Sequence, residues 1–125
     1  MIQKLKQIEN RGIAHKMAHK GVAGKYAGAV TYQYTRDPDG KLYITGGEVF
    51  LDTREERQPE DTIKKMEIII AAALAPADPS PQDIRVAQIA AIKKRKAQIE
   101  VSQKNEEKSN DLSLQILFFL YFKCY

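Results

Sequence analysis

The sequence has a single cysteine, Cys124, so no disulfide can form within the chain, and a reducing compartment suits it. It has no long hydrophobic run. The longest, "ILFFLYF" at 116–122, is seven residues, far short of the ~20 a helix needs to span a bilayer. The first ten residues, "MIQKLKQIEN", lack an apolar h-region. A signal peptide is therefore not expected, and a cytoplasmic location is. Nor is there a large excess of one charge. A net charge of +4 and a pI near 9.1 are mildly basic and give weak grounds for an anionic partner. No internal repeat is visible. What is present is ordinary for one soluble domain: 125 residues, 43% hydrophobic and 29% charged, enough chain to bury a core.

Ile2, Leu5, Ile8 and Gly12 or Ile13 recur at helical spacing, predicting a helix over 2–20 that the glycines of "GVAGKYAG" (21–28) end. Residues 29–36, "AVTYQYTR", alternate β-branched and aromatic residues with polar ones, the pattern of a strand. "DPDG" (37–40) suits a turn with Gly40 in the left-handed position, and "KLYIT" (41–45) returns as the second strand. Gly46 and Gly47 predict a bulge or tight bend that runs on through "EVFLDT". Pro59, Glu60 and Asp61 suit the first turn of a second helix. Ile63, Met66, Ile70 and Leu74, widened by Ile69 and Ala73, give it an apolar stripe. Ser80, Pro81 and Asp83 read as a capping-box start for a last helix, with Ile84, Val86, Ala87, Ala90 and Ala91 as its apolar face to about residue 92. "KKRK" (93–96) is a solvated face or a basic patch. The polar stretch from Ser102 reads as a frayed helix end or linker, before the abrupt apolar tail. The fold class is α+β: a helix, a small antiparallel hairpin sheet and two antiparallel helices.

"IAHKMAHKG" (13–21) carries the chemistry. His15 and His19 are four apart, so on a helix they share a face and can chelate one metal. Zinc takes imidazole nitrogens at ~2.0–2.1 Å and needs a third protein ligand. In the H-E-x-x-H motif a glutamate follows the first histidine and takes a proton from the metal's water. Here that residue is Lys16, which is cationic and accepts no proton. Two groove histidines on a basic helix, beside Lys20 and Lys25, would give the same pattern without a metal.

The pieces "AHKMAH" (14–19), "YAGAVTYQYT" (26–35), "DPDGKLYITGGEVFLDT" (37–53), "PEDTI" (59–63) and "AAALAPADPSPQDIRVA" (71–87) follow one another in an order and spacing that resembles the SprA-related family of bacterial proteins, held to be zinc metalloproteases. The likeness extends over roughly residues 5–103. It implies Zn2+ as cofactor, a peptide or protein substrate, and a site built on His15 and His19 with Glu48 of "GGEV" as third ligand. Asp52 could orient a histidine, although a strand-end role suits it better, and Tyr32 or Tyr34 could polarise a carbonyl, although packing is their commoner task. The departures are specific. Lys16 stands where the family has its general-base glutamate, so that position is expected to be non-functional and hydrolysis impaired. Gly12 replaces an aliphatic residue, and nothing in the family resembles the tail. The expected division is a family-like domain over 1–103, and a polar linker and apolar tail over 104–125 outside it. Together the departures point to a decayed or truncated member. The competing reading is a non-catalytic binding module whose lysines take anionic partners. Nucleic acid is not expected, since the aromatic residues do not interleave with the lysines.

Overall fold

The computed structural model describes residues 2–123, with side chains described to Leu117. The element order is helix α1 (Ile2–Ala23), a single 3-10 turn (Gly24–Tyr26), strands β1 (Ala27–Arg36) and β2 (Leu42–Leu51), helix α2 (Pro59–Ala73) and helix α3 (Pro81–Lys123). This is the expected α+β arrangement. Gly24, at φ 54°, ends α1 by adopting the left-handed conformation that a Cβ would disfavour.

The hairpin turn is held by Asp37. Its carbonyl accepts the Gly40 N–H at 3.0 Å, and its side chain accepts the Lys41 N–H at 2.8 Å. Gly40 has φ 87°, as the turn chemistry predicts. β1 and β2 form a two-stranded antiparallel sheet, with one register shift between Gln33 and Tyr34 and another between Ala27 and Val30. The paired glycines lie inside one ten-residue strand, so the irregularity is a bulge and not a bend into a new strand. Gly47 is where α1 meets this sheet. It has φ 151°, and a Cβ there would collide with the Thr31 carbonyl oxygen and stand 2.5 Å from Lys16 Cε. Beyond it, the Ile44 N–H donates to the Glu9 carboxylate of α1, satisfying a donor of β2 that the two-stranded sheet leaves without a strand partner.

The buried positions of α1 are Leu5, Lys16, His19 and Ala23, while Ile2 and Ile13 are exposed. The inward face therefore runs through Leu5, Gly12 and Lys16 and leaves Ile2 and Ile13 outside it. A helix that lines a polar site need not bury an apolar stripe. In α2 the buried face is Thr62, Lys65, Met66, Ile69, Ala72 and Ala73, and Leu74 is exposed. Lys65 belongs to this face because its ammonium is fully partnered, by Asp52 at 3.1 Å, Glu56 at 3.2 Å and the Arg54 carbonyl at 2.7 Å. The core is Met66, Ile69 and Ala90, with Tyr26, Leu51, Ile70 and Val86 packed around it. Each large side chain buried there contributes about 1.5–3 kcal/mol. Ala72, Ala73, Ala87, Ala90 and Ala97 are buried where the helices meet, so α2 and α3 can approach closely.

Ion pairs Glu67–Lys94 and Glu60–Lys104 confirm that α2 and α3 run antiparallel. Helix α3 has 43 residues against 15 in α2, or about 65 Å against 22 Å. It overshoots its partner past Lys104, and residues 102–117 are all exposed. Of the two readings of the polar tract, a helix end or a linker, the structure has the helix, continuous with the residues before it. Helix formers Gln, Lys and Glu make up half of it, and no glycine or proline interrupts it. Leu112, Leu114, Ile116 and Leu117 stand exposed on this overhang. Among the described residues no helix is long and apolar enough to cross a membrane. Cys124, on which the compartment argument rested, lies outside the described residues.

Candidate metal centre

Three elements converge on one group of side chains: α1, the C-terminal end of α2 and the N-terminal end of α3. His15 and His19 project from adjacent turns of α1, with ring centroids 4.7 Å apart and ring planes at 73°. Facing them is Asp83, in the first turn of α3. His15 Nε2 lies 2.9 Å from Asp83 Oδ2, and His19 Nε2 lies 3.1 Å from Asp83 Oδ1. Among the described residues, these three form the group whose ligand atoms all lie within 4.8 Å of one another.

Local chemistry fixes each member. Asp83 is held by the capping box. The Ser80 N–H donates to Asp83 Oδ2 at 2.8 Å, and the Asp83 N–H donates to Ser80 Oγ at 3.1 Å. Pro81 opens the helix between them, where a missing N–H costs nothing. The positive end of α3 favours the carboxylate. His19 is held by α2. Its Nδ1 lies 2.8 Å from the Ala72 carbonyl oxygen, which also accepts the Ala75 N–H at 3.3 Å in the closing turn of that helix. The loop 74–80 therefore has a defined task. It places the end of one helix against one nitrogen of His19 and the start of the next against the other.

The donor set fits a metal ion. A carbonyl only accepts, so His19 Nδ1 must carry the proton shared with Ala72. In the neutral ring, Nε2 then presents a lone pair to a carboxylate oxygen 3.1 Å away. That arrangement needs a positive charge between the two atoms, either a second proton or a metal ion. Ligands on a zinc tetrahedron stand about 3.3–3.4 Å apart, given bonds of ~2.0–2.1 Å. His15 faces one carboxylate oxygen and His19 the other, and the ligand atoms of the three residues lie within 4.8 Å of one another, so closing on one ion requires the group to contract from at most that spacing. His19 and Asp83 are nearly buried, whereas His15 is about one third exposed, which leaves a side open to a cavity.

The cavity, about 630 Å³, lies between α1, the hairpin and α3. Glu48, the third ligand expected from the sequence, lines its wall but is exposed and stands outside the group of three. Lys16 also lines it and is only 6% exposed. Its Nζ donates to the Gly12 carbonyl at 3.3 Å and lies 5.7 Å from the Tyr32 ring centroid. Phe50, Val86 and Ile89 supply apolar wall. Asp52 has no histidine to orient. It closes the strand end, accepting Arg54 N and Nε at 3.0 Å as well as Lys65. Those bonds, the Arg54 side chain foremost, hold its carboxyl well below the usual carboxylate range. Tyr32 and Tyr34 do not line the cavity and are largely exposed. Of the "KKRK" run, Lys93 donates to the Thr53 carbonyl, Lys94 pairs with Glu67 and Lys96 with Glu55, so this stretch braces α3 against its neighbours.

Asp83 is the site residue that the sequence reading did not assign as a ligand. Its capping role was visible in "SPQD", but the 68-residue separation from His15 is spanned only by the fold.

The fold and site together define an α+β domain with two histidines and a carboxylate gathered in an open cavity. The SprA-related family model matches residues 1–114, and the chain belongs to that family. The match extends past residue 103, into the exposed part of α3. No curated protein and no solved structure matches the chain.

Proposed function

We infer that His15, His19 and Asp83 form a zinc centre of the metallopeptidase kind, and that peptide-bond hydrolysis there is lost or strongly weakened. The observation that carries this is the pair of bonds on His19. Nδ1 is committed to the Ala72 carbonyl and Nε2 is aimed at Asp83, the orientation that a metal-ligating histidine takes from its neighbours. Two histidines and one carboxylate suit zinc and leave a coordination position open. When bound, zinc supplies a Lewis acid and brings the pKa of a water ligand to about 7.

The residues of this chain divide the remaining tasks unevenly. His15, His19 and Asp83 bind and orient. Phe50, Val86 and Ile89 offer an apolar wall to a peptide side chain. Lys16 occupies the position from which the base acts in the H-E-x-x-H motif, yet an ammonium cannot take a proton. General acid–base catalysis supplies about 10²–10⁴-fold in rate, and that factor is absent here. Glu48 is the one other carboxylate in the cavity wall, and its role is support of bound substrate or water rather than ligation.

Calorimetric zinc titration tests the assignment. Wild type takes up one equivalent, His19→Ala and Asp83→Ala lose it, and Glu48→Gln keeps it. Lys16→Glu in the zinc-loaded protein gains turnover on a mixed peptide library. Equal, negligible uptake by wild type and His19→Ala would remove the centre, and loss in Glu48→Gln would return the third-ligand role to Glu48.

A further inference from the structure

The buried lysine at position 16 has chemistry that a lost catalyst does not explain. Lys16 is 6% exposed and lines the cavity. Among the described residues it makes no ion pair. Its acceptor is the Gly12 carbonyl at 3.3 Å, and the Tyr32 ring at 5.7 Å is near the limit of cation–π attraction. An ammonium has three donors, so most of its hydrogen-bonding capacity is unspent. Lys65 shows what this fold does with a buried ammonium when it is structural, since two carboxylates and a carbonyl surround it. A buried cation without such partners is costly to hold, and an anion entering the cavity would supply the partner.

We propose that Lys16 makes this cavity a receptor for a carboxylate attached to an apolar residue, as at the C-terminus of a peptide. The carboxylate is shared between the Lys16 ammonium and the His15–His19–Asp83 centre, and the adjoining side chain rests on Phe50, Val86 and Ile89. The contribution of the centre rests on the zinc reading above; the contribution of Lys16 does not. Zinc with Asp83 leaves one net positive charge, and Lys16 adds a second. Glu48 is the opposing charge in the wall, but it is exposed to water, which screens it. A glutamate at position 16 would repel the same ligand. The substitution thus exchanges a group that activates water for one that attracts the product-like end of a peptide. The cavity volume, about 630 Å³, is in the range that takes a small ligand.

The test is calorimetry with N-acetyl-leucine, N-acetyl-leucinamide and acetate on zinc-loaded protein, after zinc uptake has been measured separately. The acid binds at least tenfold more tightly than the amide, and more tightly than acetate, which lacks the apolar side chain. Lys16→Met lowers the affinity for the acid roughly ten- to a hundredfold, the range for a hydrogen bond to a charged group, and leaves the amide unchanged. Lys16→Arg retains much of the preference, and thermal melts of both variants show that the fold is intact. Equal binding of acid and amide, or acid binding indifferent to Lys16→Met, overturns the proposal; acetate binding as tightly as N-acetyl-leucine overturns the apolar wall. A wild type that takes up no zinc overturns the metal centre instead. The same comparison of Lys16 variants on metal-free protein then decides the role of the lysine.

Discussion

The Lys16 ammonium lies over Gly12. Its Nζ is 3.3 Å from the Gly12 carbonyl oxygen and 3.5 Å from the point where a Cβ on residue 12 would stand. Gly12 and Lys16 are therefore one structural unit, in which a residue without a side chain leaves room for the folded-back head of the lysine one turn later.

A separation of 3.5 Å is ordinary van der Waals contact, so Gly12→Ala fits without displacing Lys16. Alanine is about 1 kcal/mol better than glycine in a helix interior. Gly12→Ala is expected to stabilise the protein by up to that amount in a urea melt. A destabilised variant would mean that the lysine head needs more space than the contact distance implies.

Ser80 holds Asp83 by two hydrogen bonds, so it supports both a helix and a site. Ser80→Ala should cost about 1 kcal/mol of stability, as loss of an N-cap does. It should leave zinc affinity nearly unchanged, because the N–H that donates to Asp83 Oδ2 belongs to the backbone and survives the substitution. Paired denaturation and zinc titration check both. A variant that loses zinc affinity along with stability would show that Asp83 depends on the Oγ bond as well.

Asp52 carries the acid sensitivity of the strand end. Its carboxyl is held well below the usual range by Arg54, through side chain and backbone N–H, and by Lys65. A carboxyl with a depressed folded pKa binds fewer protons folded than unfolded, so stability rises with pH between the two values. The contribution is complete above the unfolded value, about 3.9, and fades as pH falls toward the folded one. Urea midpoints measured at pH 6, 4 and 2.5 should fall less steeply for Asp52→Asn than for wild type. Parallel slopes would show that Asp52 is not the group responsible.

Much of the fold follows from local signals. "DPDG" specified its turn through Asp37 and Gly40, "PED" opened α2, and "SPQD" opened α3. The paired glycines announced the irregularity in β2, and Gly47 is where that strand meets α1. The misplaced features were those that depend on distant partners. Leu74 continues a helical stripe but is the exposed cap residue of α2, whereas Lys65 interrupts the stripe and is buried because Asp52 and Glu56 surround it. In α3, Ile84 and Ala91 sit one position off the face that meets α2. The histidine pair was legible because both residues lie on one helix. Asp83 was named as a cap, and nothing near it in sequence says that its free oxygen faces His19. Glu48 was drawn from its motif, and its exposure follows from where the hairpin places that strand position.

The loop at 74–80 has one more consequence. It brings Asp83 of α3 back to α1, so an ion held by His19 and Asp83 would close a circuit of chain that contains the hairpin and all of α2. In the denatured ensemble a closed loop of some 65 residues loses entropy worth about 4 kcal/mol by the cross-link estimate. A sequence with one cysteine has no internal covalent staple. The proposed ion would serve as a removable one, and a chelator would be expected to lower the melting temperature of the whole domain along with emptying the site.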